Sequence, residues 1–375
     1  MLKIVADDKI PFLRGALEGK AKIIYLPGNQ IHPEHVKDAD VLIVRTRTQC
    51  NESLLKNSSV RLITSATIGY DHIDTHWCEQ NNIRWTNAPG CNANSVVQYV
   101  ASALAYISKH HSVELSQKTL GIIGAGNIGS RLANLAATLG IKTLINDPPR
   151  AAREGDAGFT ELDHLLDQAD IITLHIPLEK TVQNNTFQLV NEDFLQKIPK
   201  GSWFINSSRG EIASTKALIS ALKDSHLAGA VLDVWENEPH INRELMDASK
   251  LSTPHIAGYS ADGKANGTAV CVQTISKHFN LGLDQWYPPT LPLPENPVIT
   301  NPCKNNNSEE MFRFLALESY DILSDSRNLR LNPSAFEKQR ENYPIRREPG
   351  AWQVQAVNCS EAEEFFIKTL GYSLI

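Results

Sequence analysis

Three short segments of this sequence place an arginine, a glutamate and a histidine where they could bind and deprotonate a small hydroxy acid. Asn206-Ser-Ser-Arg-Gly210 follows the apolar run Trp203–Ile205, and Asp233-Val-Trp-Glu-Asn-Glu-Pro239 follows Ala230–Leu232. Thr253-Pro-His-Ile-Ala-Gly-Tyr-Ser260 follows a third short apolar run. Ligands in open α/β sheets bind beyond the carboxyl ends of strands, so all three segments point to one site. A guanidinium fork at Arg209 suits bidentate pairing with a carboxylate. A carboxylate at Glu238 beside His255 would orient the imidazole and stabilise its protonated form. Hydride removal from a secondary alcohol needs a base for the hydroxyl proton, and the reverse direction needs an acid. One histidine with a carboxylate partner serves both.

The hydride acceptor has its own signature. Leu120, Ile122 and Ile123 supply a strand, and Gly124, Gly126 and Gly129 follow in the Gly-x-Gly-x-x-Gly spacing, with Asn127 and Ile128 between the last two. The first glycine permits a tight turn, the second lets backbone amides approach a pyrophosphate, and the third lets the helix pack on the strand. The run Arg131–Leu139 reads as the helix whose positive end faces that phosphate. A second strand, Leu144-Ile-Asn-Asp147, ends in an acid 18 residues beyond Gly129. Such a carboxylate accepts from a ribose 2′-hydroxyl and repels a 2′-phosphate, so the cofactor reads as NAD. Arg150 is the dissenting charge, and Asp233 is expected to face the nicotinamide.

The elements that must position these groups are legible as alternation. Short apolar runs at Leu2–Val5, Lys22–Tyr25, Val41–Val44 and Leu62–Thr64 alternate with helical stretches, the pattern of a parallel α/β domain. A helix over 94–108 leads into the glycine turn, and further strands are expected at Ile171–Leu174, Trp203–Ile205, Ala230–Val234 and Leu251–Thr253. A long helix follows over Asp262–His278. Near Trp286 a proline-rich stretch reads as a domain seam, Asn301–Ser308 reads as a polar loop, and the rest as a small α+β unit. The expected fold is therefore α/β with two Rossmann-like lobes and a small α+β C-terminal domain. The substrate (lid) domain spans 1–93 and 259–285, the NAD-binding domain 94–258 and the third domain 286–375. A discontinuous first domain would leave a cleft between the lobes.

The bulk composition narrows the classes. With 42% apolar and 21% charged residues the chain can build full cores, and a net charge of −6 gives no electrostatic case for nucleic acid. No apolar run approaches bilayer length, so no membrane partner is expected. The six cysteines are scattered without CxxC spacing, which reads as a reduced cytoplasmic protein with neither a disulfide framework nor a zinc site. Asp71, His72, Asp74, His76 and Cys78 crowd together, but in a turn entering a helix with no second ligand pair, so no metal is expected.

Taken together, Asn87–Gly90, Gly124–Gly129, His175–Leu178, Asn206–Gly210, Asp233–Pro239 and Thr253–Ser260 resemble the D-isomer-specific 2-hydroxyacid dehydrogenases. The resemblance implies Arg209, Glu238 and His255 as the catalytic set, with His175 and Gly258 added to the cofactor contacts. The tail elements Tyr320-Asp-Ile, Asp325, Phe336, Arg340, Tyr343 and Arg346-Arg-Glu348 resemble the extra C-terminal domain of one branch of that family. This implies homodimerisation through that domain and a phosphorylated substrate. It also implies substrate contacts at Thr46, Thr67 and Tyr259. The phosphate would need cations beyond Arg209, for which Arg45, Arg47, Arg346 and Arg347 are candidates, the last two from a partner subunit. The competing expectations are a relative acting on phosphoglycerate or hydroxypyruvate, and an NAD-sensing interaction protein on the same scaffold.

Overall fold

The computed structural model describes residues 1–181, 185–300, 302–303 and 307–375, which fall into two compact units. The first comprises Met1–Asn92 and Ser260–Pro292. Its strands β1 (Leu2–Asp7), β2 (Ala21–Leu26), β3 (Val41–Val44), β4 (Leu62–Ser65) and β5 (Arg84–Thr86) form a parallel sheet in the order β2-β1-β3-β4-β5. Side chains alternate across the sheet, so Ile4, Val41, Ile43 and Leu62 pack with Cys271, Val272 and Ile275. Val5, Leu42, Val44 and Ile63 pack on the other face with Leu54, Leu55 and Cys78. Burial on both faces is why these strands read as unbroken apolar runs. The helix Ala261–Phe279 is started by the Ser260 hydroxyl, which accepts from the Gly263 amide at 2.8 Å. Gly267 lets it approach the loop after β4, since a Cβ there would lie 2.6 Å from the Ala66 carbonyl oxygen.

The second unit comprises Ala93–Tyr259 and Leu293–Ile375. Strands β6 (Thr119–Ile123), β7 (Lys142–Asn146), β8 (Ile171–Leu174), β9 (Ser202–Asn206), β10 (Leu227–Leu232) and β11 (Leu251–Ser252) form a parallel six-stranded sheet. The order β11-β10-β9-β8-β6-β7 reverses direction between β6 and β8, the switch point at which doubly wound sheets bind nucleotides.

The C-terminal segment shares this unit. It carries its own parallel sheet, β12 (Val298–Thr300), β13 (Gln353–Gln355) and β14 (Ser373–Leu374), over a core of Ile299, Met311, Leu315, Val354, Ile367 and Tyr372. Its helix Ser308–Ser319 packs on the helix Ala93–His111, and Phe312, Ala316 and Tyr320 join the cluster around Tyr99, Val100 and Ala103. A buried polar stripe on Ala93–His111 reads the tail. Ser95 donates to Glu348 at 2.9 Å, Gln98 to the Arg347 carbonyl at 2.9 Å, and Ser102 to the Ala316 carbonyl at 3.2 Å. The polar loop expected over Asn301–Ser308 lies partly outside the described residues, and Asn307 and Ser308 begin the following helix as cap and first residue.

The cysteine expectation is corrected in one respect. Cys303 and Cys359, 56 residues apart, form a disulfide that ties the segment after β12 to the start of the last helix, Glu361–Thr369. Cys50, Cys78, Cys91 and Cys271 are not part of the disulfide.

Candidate active site

The three glycines of the turn are each required for a different reason. Gly124 has a φ of +91°, and a Cβ there would lie 2.4 Å from the His175 carbonyl oxygen, because β6 and β8 converge at the switch point. Gly129 starts the helix Gly129–Thr138 so close beneath the turn that a Cβ would meet the Gly124 oxygen at 2.0 Å. At Gly126 a Cβ would meet nothing within 4 Å, so the second glycine borders open space. Gly126 and Asn127 are exposed there and Ile128 is half-buried.

Asp147 follows β7 and caps the helix Pro148–Glu154, its Oδ1 accepting from the Arg150 amide at 2.9 Å and its Oδ2 from the Ala125 amide at 2.8 Å. The carboxylate is thereby fixed beside the glycine turn, with lone pairs left for a diol. Arg150 is committed elsewhere: its guanidinium pairs with Glu154 and donates to the Ala125 carbonyl at 2.6 Å and to Ser130.

Two polar atoms at neighbouring strand ends are buried without partners, Nδ1 of His175 after β8 and Oγ of Ser207 after β9. Buried polar groups are almost always hydrogen-bonded, so an orphaned pair at the switch point fits a ligand that completes them. His175 Nε2 is held by the Thr173 hydroxyl at 2.9 Å, and burial pushes its pKa down to about 3, so the ring is neutral. Ser207 was not picked out from sequence; an orphaned hydroxyl needs the structure to be seen. These atoms, the open face at Gly126 and the Asp147 carboxylate together fit a dinucleotide.

His255 and Glu238 are brought into direct contact, Nδ1 to Oε2, at 2.7 Å. An ionised carboxylate only accepts, so Nδ1 carries a proton and Nε2 is the nitrogen left to serve as the base. Burial pushes Glu238 up, but the His255 hydrogen bond and charge, the Trp235 amide and the Arg340 charge outweigh it, leaving its carboxyl below the usual range. The Trp235 amide donates to Oε1 at 2.9 Å.

The backbone that carries His255 is held in an uncommon conformation, with φ of +56°. Asp233, fully buried, supplies the restraint. Its carboxylate accepts from the Thr253 hydroxyl at 2.7 Å and from the Ile256 and Ala257 amides at 2.8 Å each. Its own carbonyl accepts from the His255 amide at 2.7 Å. Tyr99 extends the chain by donating to Thr253 at 2.8 Å. Asp233 thus positions the loop, and its carboxylate keeps spare acceptor capacity for the expected nicotinamide contact. Gly258, half-buried, ends the same loop before Tyr259.

Arg209 follows β9, half-buried, with Nη1 on the Ser208 carbonyl at 2.9 Å. Gly210 sets its place: a Cβ there would collide with the Trp235 backbone at 1.9 Å, so the Arg209 turn presses on the turn that carries Glu238.

The expected phosphate contacts separate. Arg346 and Arg347 are buried within their own unit. The Arg346 guanidinium lies 4.5 Å over the Tyr320 ring and donates to the Ala257 carbonyl, while its Nε and Nη1 are buried without partners. Burial holds the nearby Asp325 above its usual range, although the hydroxyls of Tyr343 (2.6 Å) and Tyr320 (2.8 Å) and the Arg346 charge work against that. The Arg347 carbonyl accepts from Gln98 as the tail passes Ala93–His111. In the first unit, Thr46 and Arg47 are exposed just past β3, while Arg45 directs Nε and Nη2 at the buried Asp7 carboxylate at 3.2 and 3.3 Å. Thr67, past β4, donates to the Gly69 carbonyl at 3.0 Å.

Residues 97–257 match the model of the D-isomer specific 2-hydroxyacid dehydrogenase NAD-binding domain, and residues 291–371 match a domain of unknown function. Fold and site thus define an NAD-dependent dehydrogenase of the 2-hydroxyacid class. The chain is 44% identical to the erythronate-4-phosphate dehydrogenase of Bacteroides fragilis, over 94% of this chain and 99% of that one. It is 38% identical to that of Proteus mirabilis, over 99% of each. A solved D-lactate dehydrogenase from Aquifex aeolicus, complexed with NAD and lactic acid, matches with a TM-score of 0.62 and 26% identity over 76% of this chain and 97% of that one. The chain belongs to the erythronate-4-phosphate dehydrogenase family, among the D-isomer specific 2-hydroxyacid dehydrogenases.

Proposed function

We propose that this protein oxidises 4-phospho-D-erythronate to (R)-3-hydroxy-2-oxo-4-phosphooxybutanoate with NAD, a step of pyridoxal 5′-phosphate biosynthesis. The relatives named above support the substrate. The observation that carries the chemistry is the 2.7 Å contact between His255 Nδ1 and Glu238, which leaves Nε2 for the substrate.

NAD, when bound, supplies the hydride acceptor. Gly124, Gly126, Asn127, Ile128 and Gly129 would hold its pyrophosphate, Asp147 its ribose, and His175, Asp233 and Gly258 its nicotinamide end. Arg209 binds the C1 carboxylate of the substrate through its fork. His255 Nε2 takes the C2 hydroxyl proton as the hydride leaves C2, and Glu238 stabilises the imidazolium so formed. Thr46, Thr67 and Tyr259 contact the substrate, and Arg45 or Arg47 pairs with its phosphate. The protein assembles as a homodimer through residues 286–375, a reading supported by the exposed apolar side chains of Val298, Val357 and Phe365. A monomer in sedimentation at micromolar concentration would contradict it.

His255→Ala tests the chemistry. Turnover should fall about 10²- to 10⁴-fold with NAD affinity kept, the range of general acid–base catalysis. Near-normal turnover would remove His255 from the mechanism.

A further inference from the structure

Arg340 belongs to the C-terminal segment, within the stretch that matches a domain of unknown function, yet it stands at the edge of the Glu238–His255 pair. The matched D-lactate dehydrogenase is covered over 97% of its length by 76% of this chain, so about a quarter of this chain has no counterpart there. Arg340 lies on the short helix Phe336–Glu341, whose Phe336 is fully buried and fixes it to the unit. Its guanidinium lies 5.6 Å over the Tyr259 ring and 5.9 Å over that of Phe336, and it makes a side-chain hydrogen bond with Tyr259. Nη1 pairs with Glu337 at 3.0 Å, and Nε is buried without a partner. The charges around it are Glu337 on its own helix and Glu238 from the catalytic loops, with the neutral Tyr259 side chain beside it.

Tyr259 ends the loop that begins at Thr253 and carries His255, and its ring also meets Tyr343 edge-on at 5.9 Å. Arg340 is therefore placed to act on both halves of the pair: on Glu238 by charge, and on the His255 loop through Tyr259. A cation at this edge favours the ionised carboxylate that the imidazolium needs.

We infer that Arg340 is a positioning residue for the Glu238–His255 pair, by which the C-terminal segment holds the Tyr259 end of the catalytic loop in place. The inference rests on the assignment of Glu238 and His255 above. It makes the segment part of the reaction site in its own subunit, in addition to any role in assembly.

The test compares Arg340→Met, Arg340→Lys and Glu238→Gln in the full-length protein, reading the pH profile of kcat/KM, the separate kcat and KM, NAD affinity and thermal unfolding. Arg340→Met should move the acid limb upward, because the pair loses a neighbouring cation. Arg340→Lys should restore most of that shift, and NAD affinity should hold. An acid limb left in place by Arg340→Met but moved by Glu238→Gln overturns the inference alone. A limb unmoved by either overturns the Glu238 assignment as well. Tyr259→Phe provides a second arm if Arg340→Met unfolds. It should lower kcat/KM severalfold, and adding Arg340→Lys should cost little more. Fully additive losses would show that the two residues act independently and would overturn the inference.

Discussion

Alanine at Gly126 and at Gly129 should separate cofactor binding from folding, although the two residues are three apart in one turn. At Gly126 the backbone is outside the left-handed region and an added Cβ meets no heavy atom within 4 Å. The free protein should be unharmed, or stabilised by about 0.4–1 kcal/mol through the reduced freedom of the unfolded chain. The methyl group would instead occupy the approach to the pyrophosphate. Overpacking of that kind costs about 1–3 kcal/mol, or roughly 5- to 150-fold in Kd for NAD. At Gly129 the same methyl group lies 2.0 Å from the Gly124 carbonyl oxygen, a backbone atom that cannot swing aside. The helix gains about 1 kcal/mol from alanine, but a shift of helix against strand costs about 3 kcal/mol or more. The net loss of about 2 kcal/mol corresponds to roughly 4–8 °C in Tm for a unit of this size. Thermal unfolding with and without NAD, and titration of NAD by calorimetry, read both quantities. If Gly126→Ala binds NAD as the unmodified protein does, the open face at Gly126 is not the pyrophosphate site. If Gly129→Ala melts normally, the packing argument fails.

Three further outcomes follow from the same geometry. Arg209→Lys keeps the charge but loses the fork, so kcat/KM for the hydroxy acid should drop by about 10²-fold with NAD affinity unchanged; a change under twofold would mean the carboxylate is bound elsewhere. His175 has a folded-state pKa of about 3 against about 6.5 unfolded, so the unfolded chain binds its proton first as pH falls. Its contribution to stability is full above about pH 6.5 and is lost toward pH 3, by at most about 1.4 kcal/mol per pH unit. His175→Asn should flatten the acid side of stability against pH measured by urea unfolding, and an unchanged slope would contradict this. Arg346→Met should cost about 1–3 kcal/mol, because the Ala257 carbonyl is left without its donor and Asp325 without a nearby charge, while Arg346→Met with Asp325→Asn should recover part of the loss; simple additivity would show the two are not coupled.

Much of this was legible in the sequence, for physical reasons that differ by element. Strands such as β3 and β8 are buried on both faces and therefore read as unbroken apolar runs with sharp ends. Arg209, Glu238 and His255 were readable because each lies at a strand's carboxyl end, where local order dictates location. β5 was not, since Arg84-Trp-Thr86 is three residues long and only partly buried, and it acquires strand character by pairing with β4. The burial of Arg346 and Arg347 was not legible for a related reason. A charged run ordinarily lies in solvent, and only the Ser95, Gln98 and Ala257 partners, contributed from far along the chain, turn this one inward. The disulfide between Cys303 and Cys359 is likewise a product of tertiary packing, which spacing alone does not encode.

Substrate choice is decided by turnover. The most direct test is NAD-dependent turnover of 4-phospho-D-erythronate beside 3-phosphoglycerate, D-glycerate and D-lactate, with a 2-oxo acid supplied to reoxidise retained NADH. A kcat/KM for phosphoerythronate at least about 100-fold above D-glycerate and D-lactate is expected, since a site built for the phosphate leaves cations unpaired with the unphosphorylated acids, and the shorter 3-phosphoglycerate should also fall below it. Equal or greater turnover of another acid would keep Arg209, Glu238 and His255 in their roles and refute the assigned substrate.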